Sequence, residues 1–188
     1  MKYAVLSYPP LGFRSLSILI AIAALGGYMA ATQDRFAIPK KERWLVAKLA
    51  LNNMVIWHLL AIYGIKFLTS GRAAIVGYTM PVWAALVAVL FYKAKFSWRS
   101  GLGVSLALVA TLLLAIEEFR SMIGQPVGLA LMLSAAVSWG VGTVMMNRTK
   151  LSISNASLTF WMMIITFFAM ALASAGIEIN DWRLPTAG

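Results

Sequence analysis

Six long stretches of this chain, residues 15–33, 49–65, 73–92, 100–116, 121–147 and 151–177, contain no charged side chain. Together they hold 127 of the 188 residues. An apolar run of about 20 residues, rising about 1.5 Å per residue, matches a hydrocarbon core about 30 Å thick. Backbone groups in lipid must be satisfied within the segment, so such runs become helices. The economical reading is an all-α, polytopic membrane protein with six transmembrane helices. The two longest runs carry internal punctuation, Gly124-Gln125-Pro126 and Ser152-Ile153-Ser154-Asn155, which predicts helix starts near Pro126 and Ala156. A transmembrane barrel is excluded, because its strands need segments of about ten residues with alternating polarity. A soluble fold is excluded too, since charged residues are 12% of the chain against about 25% in a soluble domain. No cleaved signal peptide is expected, because Pro9-Pro10 interrupts the start and the first run is longer than a signal core. Without cysteine there are no disulfides and no thiolate metal sites.

The 16 basic and 6 acidic residues give a net charge of +10. Their placement accounts for that charge without nucleic acid as a partner. When connecting segments alternate between membrane faces, one face receives Arg35, Lys40, Lys41, Arg43, Lys48, Lys93, Lys95, Arg99, Arg148 and Lys150. The other receives Lys2, Arg14, Lys66, Arg72, Arg120 and Arg183. The face richer in Lys and Arg is predicted to be cytoplasmic. Segments 34–48, 93–99 and 148–155 then lie inside a plasma or bacterial inner membrane, with the basic excess facing anionic lipid. Both Met1 and Gly188 fall outside. That arrangement is awkward for a complete protein, so a fragment is expected, lacking one helix upstream and an odd number downstream.

Chemistry in such a chain sits between helices. Pro81 near the middle of run 73–92 removes a backbone donor and frees the Gly77 carbonyl. Tyr78, Thr79 and Trp83 surround that break, as polar and aromatic groups surround the broken helices of transporters, although a packed kink has the same sequence. In run 49–65, Asn53, Trp57, Ala61 and Gly64 follow helical spacing, with Asn52 and His58 beside them. His58 is the one histidine. Two readings stand for it: a pathway or proton-relay residue, or a neutral imidazole bonded to a neighbouring helix. Asn53 equally suits substrate contact or helix association. Trp139 and Trp161 suit a cavity wall, while Trp44, Trp98 and Trp182 suit the interfacial belt. Small residues every fourth position, Gly103, Ala107, Thr111, Ala115 and Ala130, Ser134, Ser138, Gly142, predict close helix packing. One histidine, no cysteine and no intramembrane carboxylate cannot supply the common metal sites or a carboxylate dyad, so no cofactor and no enzyme is expected.

The stretch from Thr69-Ser70-Gly71-Arg72 through Gly77-Tyr78-Thr79-Met80-Pro81-Val82-Trp83 resembles the signature of the EamA-like family in the drug/metabolite transporter superfamily. Tyr8-Pro9-Pro10, Trp98 with Gly101 and Gly103, and Ala135-Ala136-Val137-Ser138-Trp139-Gly140 resemble the openings of that family's second and fifth helices and its sixth helix. The resemblance implies ten helices in two inverted five-helix repeats with both termini cytoplasmic. Residues 1–120 would be helices two to five of the first repeat, and 121–188 the first two helices of the second. It implies export or uptake of a small metabolite, such as an amino acid or related solute, by alternating access. The pathway would be lined by Asn53, Trp57, His58, Tyr78, Thr79, Pro81, Trp83 and Trp139. The lipid bilayer and either a second copy or the missing helices are the further partners expected. Lys93-Ala94-Lys95 departs from the family's Gly-Glu-Arg-like turn and carries no carboxylate. The rival reading is a non-transporting membrane scaffold or an inactive truncated fragment.

Overall fold

The computed structural model describes residues 8–94, 97–99, 101–106, 108–109, 113 and 126–181. Every regular element among them is helical. The elements are α1 (Pro10–Ala31), a 3-10 turn (Lys40–Glu42), α2 (Arg43–Ala50), a π turn (Leu51–Val55), α3 (Ile56–Phe67), α4 (Ser70–Gly77), α5 (Met80–Tyr92), α6 (Pro126–Arg148), α7 (Asn155–Ile177) and a 3-10 turn (Ile179–Asp181). Five helical stretches are long and apolar enough to cross a membrane: Pro10–Ala31, Lys40–Phe67, Ser70–Tyr92, Pro126–Arg148 and Asn155–Ile177. They coincide with five of the six expected spans. The sixth, 100–116, lies largely outside the described residues, as do Trp182 and Ala107, Thr111 and Ala115 of the expected small-residue series.

Local chemistry sets the helix ends. Pro10 opens α1 at a position where a missing N–H costs nothing. Pro126 does the same for α6. Ser154 caps α7, its hydroxyl accepting the Ser157 amide at 3.1 Å. Thr69 caps α4 in the same way. The second span begins at Lys40 rather than at Leu49, where the charge-free run starts. Lys and Arg stems reach the headgroup region while the backbone stays helical, so charge ends the apolar run before it ends the helix.

The chain divides into two compact units, one of Met1–Val55 with Thr149–Gly188, the other of Ile56–Arg148. In the first unit α1 packs along α7, and α2 and the π turn pack on α7 as well. Leu11 at the start of α1 meets Glu178 at the end of α7, and Asp34 beyond α1 meets the α7 cap Ser154, so the two helices are antiparallel. In the second unit α6 is the central element, packed against α3, α4 and α5. Its core joins Ala61, Leu68, Ala73, Val76, Met132 and Ala135, with Trp57 and Leu129 against them. Large apolar side chains stand exposed around both units, Ile20, Leu90, Phe91 and Leu172 among them. That outer surface suits hydrocarbon rather than water.

The packed stripe of α6 is not the expected one. Ala130 and Ser134 are exposed, whereas Gly128, Met132, Ala136, Gly140 and Val144 are buried together with Ser138 and Gly142. The buried series also repeats every fourth residue, so spacing alone could not choose between registers two positions apart. Glycine permits the closest approaches. A methyl group at Gly140 would lie 2.8 Å from the Ala84 amide nitrogen and 2.9 Å from Trp83 Cβ. One at Gly64 would lie 2.7 Å from Met132 Cγ.

Candidate functional site

The third span is interrupted where its proline stands. Helix α4 ends at Gly77, Tyr78 and Thr79 form a turn, and α5 resumes at Met80 with Pro81 in its first turn. Pro81 has no N–H to return to the Gly77 carbonyl. Thr79 rebuilds the junction one residue earlier: its amide donates to the Val76 carbonyl at 3.1 Å and its hydroxyl to the same oxygen at 2.6 Å. The Thr79 carbonyl then accepts from Val82 and Trp83, restarting the ladder. The Trp83 indole N–H donates to the Thr79 hydroxyl at 3.1 Å. Thr79 therefore acts as donor and acceptor at once, and ties an aromatic ring to the break.

Two further helices bring aromatic walls to this place. The Trp57 ring of α3 meets the Trp139 ring of α6 edge to face, with centroids 5.4 Å apart and planes at 66°. Trp57 also lies over Gly77, where an added methyl group would come within 3.6 Å of its ring. Gly140, next to Trp139, presses on the backbone of Trp83 and Ala84. Trp57, Thr79, Pro81, Trp83 and Trp139 thus lie around one helix break. Tyr78 does not join them, being 63% exposed. His58 is half-buried and already engaged with a partner.

Asn53 belongs to the other unit. It sits on the π turn, 3% exposed, and its Nδ2 has no hydrogen-bond partner. The π turn ends where the units divide. An inserted residue in a helix rotates the following faces, so the expected stripe from Asn53 through Trp57 to Gly64 is split by the π turn. Trp161 is not a free wall residue either, since its indole N–H donates to the Phe36 carbonyl at 2.6 Å. Trp44 and Trp98 are exposed, as interfacial residues should be, and Lys48 Nζ stands 5.4 Å from the Trp44 ring centre.

Sequence reasoning missed a second set of polar contacts, in the first unit. Glu178, 3% exposed, accepts the Leu11 amide on both carboxylate oxygens at 3.1 Å and the Gly12 amide on Oε2 at 3.1 Å. The Ser174 hydroxyl donates to Oε2 at 3.0 Å. At the opposite end, the Glu42 carboxylate accepts the Ser152 amide and, at 2.8 Å, the Ser152 hydroxyl. There Asp34 also accepts the Ser154 hydroxyl at 2.7 Å. Segments 34–48 and 148–155 therefore meet at one end of this unit. In the second unit the Arg148 guanidinium lies 5.5 Å from the centre of the Tyr92 ring. Among the described residues no group of His, Cys, Asp and Glu could hold a metal ion.

Apolar helices, an apolar outer surface and a helix broken beside an edge-to-face tryptophan pair define a multi-pass helical membrane protein with an irregular, aromatic-lined centre in one unit. The chain belongs to the EamA-like transporter family, whose match covers residues 1–116. It is 23% identical over 145 residues to the Bacillus subtilis (strain 168) protein named uncharacterized transporter YoaV, covering 77% of this chain and 50% of that one. It is 26% identical over 151 residues to uncharacterized transporter YvbV of the same organism, covering 79% and 48%. A third relative there, uncharacterized transporter YdfC, is 29% identical over 108 residues, covering 57% and 35%. The chain thus spans about half the length of the first two relatives. No solved structure matches it.

Proposed function

We propose that this chain carries part of the pathway of a transporter that moves a small polar or amphipathic metabolite through the cell membrane by alternating access. The chemistry is binding without bond-making. The observation that carries the reading is the break at Tyr78–Thr79, where the Trp57–Trp139 pair and Trp83 bring aromatic surface against backbone freed by Pro81. Such a place offers apolar faces and hydrogen-bonding groups together, which is what an amphipathic solute needs. Asn53, His58 and Tyr78 remain in the pathway set, each in the surroundings described above.

The division of the chain at residue 120 into two inverted repeats is supported by the family match, which ends at residue 116, and by the antiparallel α1–α7 pair. Each of those two helices has its start tied to an acid that follows the end of the other. Further helices or a second copy would complete the pathway. The name of each relative supports transport as the activity, and amino acids and related solutes form the first substrate class to test.

The test is flux of a labelled amino acid mixture into proteoliposomes holding the chain with its complete pathway, compared with Trp139→Ala. Uptake that falls at least about tenfold in the variant, equivalent to about 1.4 kcal/mol of lost interaction, supports the site. Uptake equal in the variant removes the aromatic cluster from the pathway, and no uptake of any solute favours the scaffold reading.

A further inference from the structure

We propose that the end of the second unit where α5 and α6 finish is a binding site for the headgroup of an anionic phospholipid, with Arg148 and Lys93 meeting its phosphodiester. The inference goes beyond transport and stands whether or not the chain moves a solute. Helices α5 and α6 lie side by side and run in the same direction. Gly140 of α6 meets Trp83 and Ala84 of α5. Two turns further along each helix, Arg148 meets Tyr92, its guanidinium carbon 5.5 Å from the ring centre. Both helices therefore finish at one level. Helix α6 has 23 residues, about 34 Å at about 1.5 Å per residue, which exceeds a hydrocarbon core about 30 Å thick. Arg148, Tyr92 and Lys93, all exposed, then stand at headgroup depth, where tyrosine and basic side chains are favoured.

Charge at this end is not balanced within the unit. The described residues of the second unit include no Asp or Glu. Two helix C-termini bring about half a negative charge each, against the full positive charges of Lys93 and Arg148, so a positive excess remains. The first unit differs, because Glu42 and Asp34 stand among the cations of segments 34–48 and 148–155. Lys93 adds its charge at a cost. Its φ of 49° is left-handed, a region in which a side chain is disfavoured and glycine is not. The Ala94 amide donates back to the Ala88 carbonyl at 3.0 Å and closes that turn, so what lysine contributes there is the ammonium group.

The chemistry fits a phosphodiester. A guanidinium held against an aromatic ring keeps its in-plane N–H groups for a planar or forked acceptor, and phosphate oxygens match that fork. The Lys93 ammonium follows Tyr92 directly and supplies a second, point-like charge. A lipid suits the place better than a phosphate dissolved in water. Leu90 and Phe91, 71% and 77% exposed, precede Tyr92 on α5 and offer apolar surface to an acyl chain beside the cations. Basic positions between neighbouring helix ends at a membrane face are where anionic headgroups are held.

Native mass spectrometry of the protein in neutral detergent, titrated with short-chain phosphatidylglycerol or phosphatidylcholine, tests the site. The native protein should hold phosphatidylglycerol about tenfold more tightly than phosphatidylcholine. Arg148→Gln and Lys93→Gln should each lower that preference about fivefold. Tyr92→Leu should weaken it by removing the ring, and Tyr92→Phe should preserve it. Lys41→Gln removes the same charge from an exposed position of the first unit and should leave the preference intact. A native protein without the preference overturns the proposal. Equal losses in Lys41→Gln and Arg148→Gln also overturn it, because attraction to net charge would then account for the binding. Displacement of the lipid by an equal concentration of glycerol phosphate overturns it as well, since the phosphate alone would then be recognised.

Discussion

Lys93 ends α5 in the left-handed region, at φ 49°, where the family-like turn would place glycine. A side chain there crowds the following carbonyl, at a cost of roughly 1 kcal/mol. Lys93→Gly should therefore stabilise the chain by about that much, read as a higher midpoint of thermal unfolding in detergent with no change in helix content. Thr79 works in the opposite direction. Thr79→Val removes the hydroxyl that donates to the Val76 carbonyl and accepts from the Trp83 indole. Two such hydrogen bonds are worth about 2 kcal/mol together, and a change in tryptophan emission should accompany the loss as the Trp83 ring is released. At this scale the sequence was informative where function depends on neighbours. Thr79, Pro81 and Trp83 lie within about one turn of each other, so a hydroxyl, a proline and an indole in that order point to a break from local sequence alone. The carboxylate of Glu178 was unreadable for the converse reason. Its partners on α1 lie 166 and 167 positions away, and by position alone it was one more loop acid.

Helices in lipid gain no hydrophobic drive from meeting one another, so their packing turns on how closely backbones approach. Gly140 and Gly64 are both close, yet they differ in what a side chain would strike. At Gly140 the obstacle is the backbone of α5, which can yield only if the helix moves. At Gly64 it is the unbranched side chain of Met132, at Cγ and Sδ, which can turn aside more readily than a backbone. Gly140→Ala should cost about 1 to 3 kcal/mol by overpacking, and Gly64→Ala clearly less. Gly176→Ala, with nothing within 4 Å, should be neutral or stabilising by about 0.5 kcal/mol through helix propensity. Equal losses at Gly140 and Gly64 in denaturant titrations would contradict this account of the α5–α6 contact. The helix break yields a second expectation. Pro81→Ala restores a donor to the Gly77 carbonyl, joins α4 to α5 and should lower flux while leaving membrane insertion intact. The places of five spans were legible because charge exclusion from hydrocarbon acts residue by residue, while the start of the second, at Lys40, was not, since a helix can run on past the last apolar residue. The choice of stripe on α6 and the π turn at Leu51–Val55 were not, since both are decided by which neighbouring surface accepts the helix.

Across the whole molecule, the arrangement of charge makes a statement about orientation that the packing within units supports. Segments 34–48 and 148–155 carry much of the Lys and Arg excess, and Glu42 and Asp34 bind Ser152 and Ser154, so both segments lie at one end of the first unit. Two loops joined by hydrogen bonds cannot stand on opposite sides of a membrane. Retention of Lys and Arg on the cytoplasmic side predicts that this shared end is the inner one. The absence of cysteine makes the assignment measurable, because each introduced thiol is the only one to react. Lys41→Cys, exposed on the first turn of the second span, should resist an impermeant maleimide applied to intact cells and react fully after permeabilisation. Ser7→Cys, ahead of α1, should react in intact cells. With an odd number of crossings between positions 7 and 41 the two results must differ, so labelling of both from outside would contradict the single crossing by α1. The opposite pattern would keep the fold but invert it, and would turn the Glu178 end, with its hydrogen bonds to Leu11 and Gly12, toward the cytoplasm.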